Sequence, residues 1–150
     1  YKINPSLVKK VKSLKPKKIL KNDVSDKINS ILRKIVNTTE GTASLANIEG
    51  YEVGGKTGTA QKSVAGGYSN NKINTFVSVF PSSSPKFVFV VMLDEPKINS
   101  EYIYNYRDGS GIKYKGTPFN TAGWTSVEVA GQIIEKIGPI LATKYNEVYQ

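Results

Sequence analysis

Residues 51–62, YEVGGKTGTAQK, set strand-like ends around a glycine-rich middle. Glycine inside a strand pattern marks a place where another backbone approaches closely. A turn-forming run follows, GGYSNN at 66–71. Beyond it, residues 73–80, INTFVSVF, alternate Ile73, Thr75, Val77 and Val79 with Asn74, Phe76, Ser78 and Phe80. That period of two is the mark of a strand. Pro81 and Pro85 then interrupt, and residues 86–93, KFVFVVML, form a continuous β-branched and aromatic run, as expected for a central strand buried on both faces. Three strands with short connections predict an antiparallel meander over 51–93.

Upstream, Asp23 or Ser25 can cap a helix whose apolar stripe is Ile28, Ile31, Leu32, Ile35 and Val36. This amphipathic helix is predicted over 24–38, stopping where Thr38-Thr39-Glu40-Gly41 combines poor helix formers with a glycine. Downstream, Thr125 and Glu128 have capping-box spacing, and Val127, Ala130, Ile134, Ile137 and Leu141 predict a C-terminal helix over 125–145, kinked or split at Pro139. Between meander and helix, residues 95–123 carry four Tyr, four Gly and two Pro without a period and read as a long loop. The fold class is α+β. Two helices on a three-stranded meander bury one modest core, so the chain is expected to be a portion of a larger domain.

Composition narrows the chemistry. The 150 residues, 39% hydrophobic and 22% charged, suit one globular unit. Cys and His are both absent, which excludes disulfides, the usual zinc sites and an imidazole base. Catalysis must use Lys, Tyr, carboxylates or hydroxyls, and no metal or cofactor is expected. No window approaches the roughly 18 apolar residues of a membrane span, so no membrane contact is expected of this segment itself. The net charge of +9 is concentrated at the start, where residues 1–22 hold eight Lys and no acid. Such an arm can bind a nucleic acid or another polyanion. The solvated-surface reading is preferred and nucleic acid is not expected as a partner, because residues 2–22 offer neither Arg nor an aromatic ring for base stacking.

The motif is Lys56-Thr57-Gly58, extended as GGKTGTA at 54–60. Strand alternation puts Thr57 and Thr59 on one face and Lys56 and Gly58 on the other. Two hydroxyls can then donate to one carboxylate, while Lys56 adds a positive charge that favours anions. Gly58 leaves room for a peptide to lie along the strand, and the Thr59 amide can donate to a developing oxyanion. The bland reading is a glycine-rich edge strand carrying a solvated lysine.

Lys-Thr-Gly is an element of penicillin-binding proteins and class A β-lactamases. The wider stretches TEGTASLANIEGYEVGGKTGTAQK (39–62), GGYSNNKINTFVSVFP (66–81), FVFVVMLDEP (87–96), Thr121-Ala122-Gly123-Trp124 and VEVAGQIIEKIGPIL (127–141) resemble the end of class B penicillin-binding proteins, most of all the cell-division type. The resemblance implies a fragment of the serine β-lactamase/penicillin-binding transpeptidase fold. It implies a periplasmic D,D-transpeptidase, in a parent anchored in the inner membrane, that acylates a serine with a D-Ala-D-Ala stem peptide; β-lactams acylate the same serine. Lys56 would join the proton-transfer and electrostatic network, Thr57 and Thr59 would hold the substrate carboxylate, the Thr59 amide would complete the oxyanion hole, and Gly58 would keep the strand edge clear.

The family's Ser-x-x-Lys and Ser-x-Asn motifs precede its Lys-Thr-Gly strand and are expected outside this chain. Three internal matches are rejected: Ser6/Lys9 in the Pro-broken arm, Ser83/Lys86 with Pro85 between the pair, and Ser69/Asn71, which lies downstream of Lys56. The chain alone is therefore expected to be inactive. Rival readings are a serine β-lactamase or D,D-carboxypeptidase fragment, or a polyanion-binding module gripping with the Lys-rich arm and Tyr102, Tyr104, Tyr106 and Tyr114. Those tyrosines could instead be a strand face packed on the core.

Overall fold

The computed structural model describes residues 17–97, 99–105, 111, 113–116 and 119–148. Most of the Lys-rich arm, the Ser6/Lys9 pair and Tyr106 lie outside the described residues. Helix α1 spans Asn22–Asn37, behind an extended Lys21 that makes no side-chain cap bond. Asp23 falls inside the first turn instead of capping it. There its charge still meets the positive end of the helix dipole, and it pairs with Lys27 at 2.8 Å. One end of the apolar stripe is buried, with Val36 fully covered, while Ile28 and Ile31 are exposed.

The meander forms as read, with β1 at Gly54–Val64, β2 at Gly67–Phe80 and β3 at Phe87–Asp94. All pairings are antiparallel and the order is β1-β2-β3, so β1 is one margin of the sheet. Register puts Thr57 opposite Phe76 and Thr59 opposite Asn74, and β2 sets Phe76 against Val91. Phe76, Phe80 and Val91 enter a core with Val127, Ala130 and Ile134 of helix α2, which spans Ser126–Val148. The burial that holds α2 to the sheet thus lies on the face that carries the two threonines of the motif.

β3 is a marginal strand rather than one buried on both faces. Val88, Val90 and Met92 are 71%, 52% and 64% exposed, and Val77 on β2 shares their face at 43%. A continuous apolar run shows that both faces tolerate burial, but here only one is covered. The stretch read as a loop also contains structure: β4 (Ile103–Asn105) and β5 (Lys113–Lys115) pair as an antiparallel hairpin, and a short 3-10 helix occupies Ala122–Trp124. Tyr104 is buried edge-on against Trp124, and Tyr102 against Tyr104. Tyr102 and Tyr104 therefore pack inward, and of the described tyrosines in 95–123 only Tyr114 remains substantially exposed.

Helix α2 runs through Pro139 undivided. Pro139 lies on its exposed side, where water can meet the carbonyl that the missing N–H releases. The neighbouring Gly138 is pressed on Tyr51, whose ring would lie 2.4 Å from an added Cβ. The expected capping hydroxyl is otherwise engaged, since Thr125 Oγ1 donates to the Thr121 carbonyl and accepts from Asn74 Nδ2. Glu128 is buried, where Tyr102 and Gln132 donate to its carboxylate.

Candidate active-site strand

Three contacts seat the start of β1. Arg33 reaches from α1 to donate to the Val53 carbonyl at 2.8 Å and to Asn47 Oδ1 at 2.9 Å. Its burial lowers the guanidinium pKa, and the charge of Glu52 opposes that shift. Gly54 lies so close to α1 that an added Cβ would be 3.1 Å from the Arg33 backbone nitrogen, and at Gly55 it would be 2.5 Å from the Phe76 ring. Gly55 is thus required by packing, while a side chain at Gly54 would need α1 to give way by a few tenths of an ångström.

From Lys56 onward β1 opens to solvent. Lys56 is exposed and its Nζ donates to the Thr57 carbonyl at 2.7 Å. Gly58 has no packing reason to be glycine among the described residues, because an added Cβ would find its nearest neighbour 4.0 Å away. The hydroxyls of Thr57 and Thr59 share the face expected from alternation, and each has a protein partner. Thr57 Oγ1 lies 3.0 Å from Thr42 Oγ1, with either able to donate. Thr59 Oγ1 accepts the Ala122 amide at 2.9 Å and keeps its own proton.

Both ends of the sheet carry carboxylates. The Ser83 hydroxyl donates to Glu52, which lowers that carboxyl's pKa. Lys62 donates to Glu95 at 2.9 Å and to Asp94 at 3.0 Å. Those bonds raise the lysine pKa and lower that of Glu95. The rejected serines behave accordingly: Ser83 serves Glu52, and Ser69 accepts the Asn71 amide within β2. A polar cavity of about 550 Å³ between α1 and the β2–β3 turn, lined in part by Asp26, Ser30, Arg33, Glu52 and Ser83, does not include the motif.

The family model described as the penicillin binding protein transpeptidase domain matches residues 1–114. The chain belongs to the penicillin-binding protein transpeptidase family. A curated relative, stage V sporulation protein D of Bacillus subtilis, is 40% identical over 96 residues, covering 63% of this chain and 15% of that protein. Among solved structures, the transpeptidase domain of penicillin-binding protein 3 from Burkholderia pseudomallei matches with a TM-score of 0.54 and 27% identity, over 77% of this chain and 29% of that one. Penicillin-binding protein 3 of Mycobacterium tuberculosis, solved with ampicillin, matches with a TM-score of 0.51 and 27% identity, over 75% of this chain and 24% of that one.

The chain thus spans under a third of the length of each of these proteins. Within it, sequence reasoning singled out Lys56, Thr57, Gly58 and Thr59, which share the open part of β1, but missed Thr42 and Ala122. The sequence offered no periodic signal for either, since they lie 15 and 63 residues from the hydroxyls they touch. Among the described residues, no cluster of acids could hold a metal and no helix is long and apolar enough to cross a membrane.

Proposed function

We propose that this chain forms one wall of the active site of a peptidoglycan D,D-transpeptidase, and that the serine nucleophile stands on the part of the domain beyond these 150 residues. The observation that carries this reading is the open margin of β1, which holds two fixed hydroxyls on one face and an exposed Lys56 and an unfilled Gly58 position on the other.

In this reading a stem peptide ending in D-Ala-D-Ala lies along β1 as an added strand. Its terminal carboxylate accepts from Thr57 and Thr59. The serine oxygen adds to the penultimate carbonyl, and the resulting oxyanion accepts from the Thr59 amide. On an antiparallel strand the N–H and C=O of one residue, and those of the residue two further on, point to the same side, so the Thr57 carbonyl that takes Lys56 and the Thr59 amide share one side. The peptide C–N bond then breaks and the leaving D-Ala amine takes the proton released by serine; an acceptor amine next attacks the acyl carbonyl, and the serine oxygen leaves with the proton that the amine gives up. A β-lactam follows the first half of this path with its ring amide as the bond that opens. Lys56 favours the anionic guest and the proton transfers around the serine. Because its substrate is cell-wall peptide, the reading places the parent protein in the periplasm, anchored at the inner membrane.

The test is Lys56→Met in the enzyme that carries this chain, followed by the rate of acylation by labelled penicillin. A loss of roughly 100-fold or more is expected, the scale of proton-transfer catalysis. An unchanged rate would remove Lys56, and with it this wall, from the site.

A further inference from the structure

We propose that Thr42 is a positioning residue that sets the Thr57 hydroxyl to donate to the guest's carboxylate, an inference that rests on the reading above. A threonine hydroxyl has one proton to give. If Thr57 gave its proton to Thr42, none would remain for a carboxylate. With Thr42 donating to Thr57 across the 3.0 Å contact, the Thr57 proton is released toward the open side of the strand. Thr59 is set in the same sense by a backbone group, since the Ala122 amide fills an acceptor position and leaves the hydroxyl proton free. The two threonines are then equivalent donors, one set by an amide and the other by Thr42.

Thr42 is built into a fixed place. Gly41 donates to the Thr38 carbonyl at 3.1 Å and Ala43 to that of Ile35 at 3.2 Å, so the residues on either side are tied to the end of α1. Gly41 fits only as glycine, because an added Cβ would lie 2.2 Å from the Ile35 carbonyl oxygen. Ala43 is fully buried. From the other side, Gly123 approaches so closely that an added Cβ would be 2.7 Å from the Thr42 carbonyl oxygen. Helix α1, β1 and the short helix Ala122–Trp124 thus meet at Thr42, yet its side chain is exposed and spends its hydroxyl on Thr57.

The test uses the whole enzyme with Thr42→Val, Thr42→Ser, Thr57→Val and the Thr42→Val/Thr57→Val double variant, acylated by benzylpenicillin and by its methyl ester. Thermal unfolding of each is followed in parallel. Thr42→Val is expected to slow acylation by the free acid roughly fivefold, the worth of one neutral hydrogen bond, with an unchanged unfolding temperature. Thr42→Ser should restore the rate, the double variant should be no slower than Thr57→Val, and the penalty should vanish with the ester. If Thr57→Val is impaired while Thr42→Val matches the parent, or if the two losses multiply, Thr42 has no positioning role and the site reading stands. If Thr57→Val itself matches the parent, the site reading fails. Should Thr42→Val not fold, Thr42→Ala carries the same expectations.

Discussion

Gly55 and Gly58 stand three residues apart on one strand and answer to different demands. At Gly55 an added methyl meets the ring of the fully buried Phe76. Gly55→Ala should therefore lower the unfolding free energy by about 1–3 kcal/mol, the usual cost of overpacking a core. At Gly58 the space is empty, and valine suits a strand. Gly58→Val should leave stability within about 0.5 kcal/mol of the parent. It should nonetheless slow penicillin acylation roughly tenfold, equivalent to about 1.4 kcal/mol of lost guest contact. Denaturant unfolding and acylation kinetics on the two variants separate packing from guest clearance. A Gly58→Val enzyme acylated at the parent rate would mean that nothing docks there. The motif residues could be picked from sequence because the stretch around Lys-Thr-Gly resembles that of penicillin-binding proteins and side-chain alternation assigns their faces. Thr42 and Ala122 could not, because their roles come from tertiary contacts with no local signature.

Among the elements, the periodic ones were legible. The two-residue alternation of β2 and the apolar stripes of α1 and α2 gave the meander and both helices. What failed is instructive in each case. The run that became β3 is apolar on both faces, and apolarity does not tell which face a neighbour covers. The hairpin of β4 and β5 has three-residue strands, too short for a period to emerge, and its Tyr104 is recognisable as core only once Trp124 is beside it. At the far end of the sheet, Lys62 ties β1 to the end of β3 through Asp94 and Glu95. The bond from Lys62 holds the Glu95 pKa below its ordinary 4.5. A depressed carboxyl stabilises the fold above its unfolded value and loses that contribution as pH falls through the folded value. Lys62, raised above 10.5, works in the opposite sense, its contribution present below that value and lost as pH rises through the folded pKa. Glu95→Gln should therefore flatten the acid limb of the stability profile below pH 4.5, read by thermal unfolding across pH. An acid limb identical to that of the parent would show that the pair carries no linkage.

At the scale of the molecule, several exposed apolar residues are grouped. Val77, Val88, Val90 and Met92 form one uncovered sheet face, and Ile28 and Ile31 lie on the outer side of α1. Contiguous apolar surface of this kind marks contact with other structure. In the account proposed here that structure is the remainder of the transpeptidase domain, of which this chain spans 29% in one solved relative. In that proposal the same division of labour governs the chemistry: β1 offers a cation, hydroxyls and an amide, and the nucleophile comes from the rest of the domain. The direct measurement is to treat the enzyme that carries this chain with penicillin and locate the acyl adduct by peptide mass spectrometry. A single adduct is expected on a serine outside residues 1–150, and none on the 150-residue chain treated alone; an adduct on Ser6, Ser69, Ser83 or any other residue of this chain would contradict the assignment.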